Sequence, residues 1–250
     1  MIINFKNKVV LISGSTRNIG KCIAENFAKN NATVIINSRQ KTDVSSVVKE
    51  FNKKEYSCLG IVADVSKFKE AQIMVDKIIS KYKKVDILIN NAAIWYPIAA
   101  KNINERIWAK TIATNLTGVF NCCKAVYPDM QRQKSGKIIS IGSESTRMGA
   151  QLADASYIAS KFGIIGLTRQ LAKEWGRCHI NINMVSVSPI DNQNDHLAKK
   201  YKKLFDRAIS QTPIGRLAKP QDVANLVLFL SSKQASFITG QIFSINGGLI

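Results

Sequence analysis

Val9-Val10-Leu11-Ile12-Ser13-Gly14-Ser15-Thr16-Arg17-Asn18-Ile19-Gly20-Lys21-Cys22-Ile23-Ala24 is the stretch that decides the fold. A short apolar run rich in branched side chains enters a turn of small residues, and a helical pattern opens directly after it. A strand that passes through a glycine turn into a helix brings backbone N–H groups and a helix N-terminus to one point, where a pyrophosphate can rest. Gly14, Ser15, Thr16, Arg17, Asn18, Ile19 and Gly20 are therefore candidate dinucleotide contacts. Asn18 stands where a third glycine is expected, and asparagine tolerates the left-handed backbone such a turn needs.

Working outward, the same alternation runs to the other end of the chain. Strands are predicted at Lys8 to Ile12, Thr33 to Asn37, Ser57 to Val62, Asp86 to Ile89, Lys137 to Ile141, Asn181 to Val187 and Gln241 to Ile245, apolar enough to be buried on both faces. Helices are predicted near 19–30, 43–54, 67–82, 104–131, 153–177 and 220–232. The pattern predicts an α/β chain: a single Rossmann-type doubly wound domain over residues 1–250, with a parallel sheet of about seven strands flanked by helices. No repeat or proline-rich linker interrupts it. The one irregular region, Ser188 to Pro213, reads as a flap over a site.

Composition narrows the class. The 250 residues are 46% hydrophobic, enough for one full core, and no apolar stretch reaches the length of a membrane span or signal-peptide core. Cys22, Cys58, Cys122, Cys123 and Cys178 form no CxxC pair and only two histidines are present, so reduced thiols in a cytoplasm, and no metal, are expected. The net charge of +19 invites an anionic partner. The lysines are dispersed over helix faces beside many asparagines and isoleucines, however, which argues against nucleic acid and against a membrane surface.

The strand ends supply further candidates. Asn37-Ser38-Arg39 closes the second strand without the acid that would hold the adenosine ribose of NADH; Arg39, with Arg17, suits a 2′-phosphate instead, so NADPH is favoured over NADH. Asp64-Val65 and Asn90-Asn91-Ala92-Ala93 lie at carboxyl ends of the third and fourth strands, where ligands collect in an open sheet. Tyr157-Ile158-Ala159-Ser160-Lys161 places a phenol and an ammonium on one helix face, and a neighbouring ammonium is expected to lower the phenol pKa toward a usable range. Ser143 ends the fifth strand within reach of a substrate oxygen beside that tyrosine, with Ser145 as the weaker candidate. Asn115, in the long fourth helix, is an amide that must find partners.

The glycine turn resembles the TGxxxGxG turn of the short-chain dehydrogenase/reductase family, and Tyr157 with Lys161 resembles its YxxxK pair. The likeness continues through Asn183 to Pro189, Gly215 to Ala224, Phe237 to Gln241 and Asn246-Gly247-Gly248. It implies an NAD(P)-dependent oxidoreductase in which Asn115, Ser143, Tyr157 and Lys161 form the catalytic set and Asn115 holds a water connected to the lysine. It also implies that Lys161 grips the nicotinamide ribose, that Asp64 faces the adenine, and that Asn91 and Ala92 line the cofactor, with Ala93 where the family has a glycine. After Ser188-Pro189 the family has a glycine and then a threonine on the nicotinamide carboxamide. Here Ile190-Asp191-Asn192-Gln193-Asn194 follows, so an asparagine or the Ile190 backbone takes that contact, or the loop sits differently until ligand arrives.

Substrates in such a family include 3-oxoacyl groups on an acidic carrier, sugars or polyols, steroids and small ketones. Arg132, Lys134 and Arg177 near helix ends suit an acidic carrier; the polar Asp191 to Asp195 loop suits a sugar or polyol dehydrogenase. A dinucleotide-binding scaffold without turnover is the reading from another class, with Asn18 and the altered Pro189 loop as its marks. The resemblance further implies a symmetric tetramer or dimer paired through the helices near 104–131 and 153–177.

Overall fold

In the computed structural model, residues 3–149, 154–191 and 201–249 are described. The chain runs β1 (Val9–Ile12), α1 (Asn18–Lys29), β2 (Thr33–Ser38), α2 (Lys41–Lys53), β3 (Cys58–Val62), α3 (Phe68–Tyr82), β4 (Ile87–Asn90), α4 (Glu105–Ile112), α5 (Gly118–Gln133), β5 (Gly136–Ile141), α6 (Ser145–Met148), α7 (Ala155–Trp175), β6 (Ile180–Val187), α8 (Lys202–Gln211), α9 (Pro220–Ser231) and β7 (Ile242–Ile245). All seven strands pair in parallel in the order β3-β2-β1-β4-β5-β6-β7. The order reverses direction between β1 and β4, which opens a ligand crevice outside their carboxyl ends.

Residue alternation along β1 shows why the strands read as apolar throughout. Val9 and Leu11 join one core with residues of α3, α5 and α7, whereas Val10 and Ile12 join the opposite core with α1, α2 and α9. A strand covered on both sides by helices has no polar face. Among the described residues, no helix is long and apolar enough to cross a membrane.

The expected strands all form, with ends shifted by a residue or so. The long helix expected near 104–131 is instead α4 and α5 joined by one turn of π-helix over Ala113–Thr117, with Thr114 and Asn115 buried inside that turn. Such turns widen the helix and commonly sit at functional sites. The apolar period carries through the junction, so nothing in the pattern announces it. The helix expected at 153–177 begins at Ala155 and ends at Trp175, followed by a 3-10 turn, Gly176–Cys178. Within the predicted flap, Lys202–Gln211 is helical and Ile190 forms a parallel bridge with Ala218. Residues 192–200 of that flap, including most of the polar Asp191 to Asp195 loop, and 150–153 lie outside the described residues.

Candidate active site

The glycine turn is stitched to three strand ends. The Ser15 N–H donates to the Asn37 carbonyl at 3.0 Å, and the Ser15 hydroxyl accepts from the Asn37 N–H at 2.9 Å, which binds the turn to the end of β2. The Ser13 hydroxyl oxygen accepts from the N–H groups of Asn91 at 3.0 Å and Ala92 at 3.1 Å, and the Asn91 amide donates to the carbonyls of Ser13 and Gly14 at 3.1 and 2.8 Å. Gly14 has φ +64° and a Cβ there would lie 2.8 Å from the Ala92 Cα, while a Cβ on Gly20 would collide with the Gly14 carbonyl and the Asn91 amide. Asn18 adopts φ +48°, the left-handed conformation that lets it take a glycine's place.

This cradle fits a dinucleotide. Helix α1 begins with no carboxylate in its first turn and no side-chain cap from Arg17, so its leading N–H groups and the positive end of its dipole are open to a phosphate. Thr16 and Ile19 are half-buried in the turn. Arg17 and Arg39 are exposed and have no carboxylate partner among the described residues; each stands two residues beyond the Ser15–Asn37 bonds, at one rim of the cradle. Asp64 is half-buried, its Oδ1 accepting from the N–H and hydroxyl of Ser66 at 3.0 and 2.7 Å. Buried Val65 gives its carbonyl to the Asn121 amide at 2.9 Å, and Ala93 is exposed beyond Ala92. Pro189 is exposed after β6, and Ile190 packs against the α9-side core.

The catalytic candidates converge near the end of β5. Lys161 is 3% exposed, and its ammonium donates to the Ile141 carbonyl at 2.7 Å while lying 5.5 Å from the Tyr157 ring centroid. The Ser143 hydroxyl lies near enough to the Tyr157 phenol to hold its pKa down, and sits 2.6 Å from the Ser145 hydroxyl. Of the two serines, Ser143 is the one that acts on the phenol, and Ser145 meets Ser143. Asn115 is buried in the π turn and finds its partners within the protein. Its Oδ1 accepts from the Ile94 N–H at 2.8 Å, and its Nδ2 donates to the Ile94 carbonyl at 2.8 Å and the Ser160 hydroxyl at 3.2 Å. Both amide protons are used within the protein.

Burial sets the ionisation. Desolvation by burial brings the Lys161 ammonium down to about pKa 8. Desolvation also raises the Tyr157 pKa, opposed by the Ser143 hydrogen bond and reinforced by the Asp154 charge. The expected lowering of the phenol pKa by lysine is therefore reversed here: the ammonium is turned to a backbone carbonyl, and burial dominates. At neutral pH the phenol is protonated and the lysine charged, the states required for giving a proton to a carbonyl oxygen.

Three further residues at this site are not singled out by the sequence patterns. Ser13 holds two amides, Ser160 partners Asn115, and Asp154 caps α7 by accepting from the Tyr157 N–H at 2.9 Å. For Asp154 a cap signal is present, since an aspartate opening a helical pattern three residues ahead of the tyrosine is a standard start; a helix expected to begin at 153 obscures it.

The chain is similar to known proteins over nearly its whole length. A family model described as enoyl-(acyl carrier protein) reductase matches residues 14–250. The chain is 37% identical over 244 residues to the 3-oxoacyl-(acyl-carrier-protein) reductase FabG of Staphylococcus epidermidis, covering 97% of this chain and 99% of that one. The crystal structure of gox2181 superposes with a TM-score of 0.94 at 31% identity, over 99% of this chain and 97% of that one. A gluconate 5-dehydrogenase from Burkholderia cenocepacia J2315, solved in complex with NADP and tartrate, superposes with a TM-score of 0.93 at 26% identity and the same coverage.

Proposed function

Since this chain belongs to the short-chain dehydrogenase/reductase family and is an NAD(P)-dependent oxidoreductase, we propose that it uses NADPH to reduce a ketone to a secondary alcohol, the ketone being a 3-oxoacyl thioester on an acidic carrier. The observation that carries this reading is the Ser143, Tyr157 and Lys161 cluster at the end of β5, one strand away from β4, whose end is bound to the glycine turn. The whole of residues 1–250 acts as one catalytic unit, in the cytoplasm, where its five cysteines stay free.

Bound NADPH supplies the hydride. The turn from Gly14 to Gly20 cradles the pyrophosphate, Arg17 and Arg39 pair with the 2′-phosphate, and Asp64, Val65, Asn91, Ala92, Ala93, Pro189 and Ile190 line the remainder. Tyr157 Oη hydrogen-bonds the substrate oxygen and passes its proton to it. Ser143 Oγ holds the same oxygen in place. Lys161 holds the ribose and supplies positive charge beside the phenol as the proton leaves. Asn115, tied to Ile94 and Ser160, keeps the loop after β4 against α7 and anchors the proton path from Lys161 to water.

Replacing Arg39 by aspartate is expected to raise KM for NADPH by about 10–100-fold while KM for NADH holds or falls, because a bidentate guanidinium–phosphate pair becomes a like-charge contact. Steady-state kinetics with both cofactors checks this, and NADH used as well as NADPH by the unaltered protein would reject the preference. The lowered Lys161 pKa adds a pH effect. Below about pH 8 the lysine keeps its charge and above it the charge is lost, so kcat/KM for NADPH, which reports the cofactor-free protein, should decline above about pH 8. A profile flat to about pH 9.5 would show that the ammonium is not used.

The exposed aromatic side chains Trp108 on α4, Phe120 on α5 and Phe162 on α7 support a homotetramer or homodimer that covers those helices. Phe162→Glu is expected to shift the sedimenting species to a smaller one; an unchanged species places the interface elsewhere. The gluconate 5-dehydrogenase likeness supports a sugar-acid substrate as the second reading. Turnover of a 3-oxoacyl thioester against that of a keto-sugar, both with NADPH, separates the two, and turnover of neither leaves the dinucleotide-binding scaffold.

A further inference from the structure

The chain leaving β4 is held at every second residue. The Ala92 N–H donates to Ser13, the Ile94 N–H to Asn115, and the Tyr96 N–H to Asp154 Oδ2 at 2.9 Å. Three different elements thus grip one extended segment: the end of β1, the π turn and the start of α7. Asp154 is 1% exposed, and its Oδ1 accepts from the Tyr157 N–H at 2.9 Å and from the Ser156 hydroxyl. Both carboxylate oxygens are engaged, yet no lysine or arginine accompanies this carboxylate among the described residues. A buried carboxylate without a cation is costly to retain, and an uncharged cap such as serine would satisfy the helix alone. What the single oxygen of the shorter serine does not do is reach the Tyr96 N–H while it caps the helix; the carboxylate does so with its second oxygen.

We propose that Asp154 is a positioning residue for the reduction: one of its oxygens caps the helix that carries Tyr157 and the other holds Tyr96, so the loop after β4 and the proton donor keep one fixed relation to the substrate carbonyl. This rests on the reductase reading given above. The loop begins at the cofactor cradle with Asn91 and Ala92 and ends beside the first turn of the catalytic helix, so it borders the space in which a carbonyl must meet both. A loop that is in place only part of the time lowers apparent substrate affinity by that fraction and leaves the chemical step unaltered once substrate is bound.

Asp154→Asn and Asp154→Ser separate the two roles. Each keeps an oxygen for the Tyr157 N–H; the asparagine then presents an N–H to the Tyr96 N–H, and the serine is too short to reach it. Both variants should raise KM for the ketone by about 10-fold while kcat and KM for NADPH stay within about twofold. Asp154→Ala, which loses the cap as well, should also melt at lower temperature. Hydrogen exchange needs no substrate: the peptide containing Tyr96 should lose protection in the Asn and Ser variants, with α7 unchanged. Unaltered KM and unaltered Tyr96 exchange in both variants would overturn the proposal, as would an equal rise in the KM for NADPH, which marks general loosening. If the unaltered protein reduces no ketone, the reductase reading fails by itself, and the exchange result still decides whether Asp154 ties the loop to the helix.

Discussion

Tyr157→Phe should lower kcat/KM for ketone reduction by about 10²–10⁴-fold, the range attributed to a positioned general acid, with NADPH affinity changed by no more than about twofold. Phenylalanine keeps the ring and its packing on the catalytic helix and removes only the hydroxyl that Ser143 meets. The effect is large because no neighbouring group can take over. Lys161 points its ammonium at the Ile141 carbonyl, and Ser143 is an alcohol too weakly acidic to protonate an alkoxide near neutral pH. Thermal melting and cofactor fluorescence check that the variant is folded and loaded, and NADPH oxidation with substrate reads the loss. Activity within about threefold of the unaltered protein would remove Tyr157 from the reaction.

Gly20→Val should abolish useful cofactor binding, weakening NADPH by about 10–100-fold or more, while the sheet still forms. A side chain at this position collides with the Gly14 carbonyl and the Asn91 amide, the same pair whose 2.8 Å hydrogen bond shapes the turn. The clash cannot be relieved by rotating the new side chain, since Gly14 O is backbone and Asn91 is fixed by two carbonyls. Relief requires the turn to withdraw from the start of α1, which moves the N–H groups that a pyrophosphate needs. Titration of NADPH against the variant measures the loss, and an unchanged Kd would show that the cofactor does not approach this turn.

Several features of the site are legible in the order of residues itself. The glycine turn and the Tyr157–Lys161 spacing are local, so their geometry follows from one strand, one turn and one helix face. Asn18 in a left-handed conformation is likewise readable from its chemistry. The π turn around Asn115 is not, because widening a helix by one residue leaves the apolar period on either side nearly intact. The direction of the Tyr157 pKa shift is hidden for a different reason: a pairwise argument registers the neighbouring ammonium but not the depth at which both groups lie.

Sequence alone determined the parallel sheet, the order of strands and helices, the glycine turn and the phenol–ammonium pair, since each is written in periodicity or in short spacing. Tertiary structure decided which distant residues meet: Asp154 with Tyr96, Asn115 with Ile94 and Ser160, and buried Glu144 with Ser244 and Asn246. Those pairings join residues from 21 to 102 positions apart. They follow from how the strand ends stack, which no local spacing records.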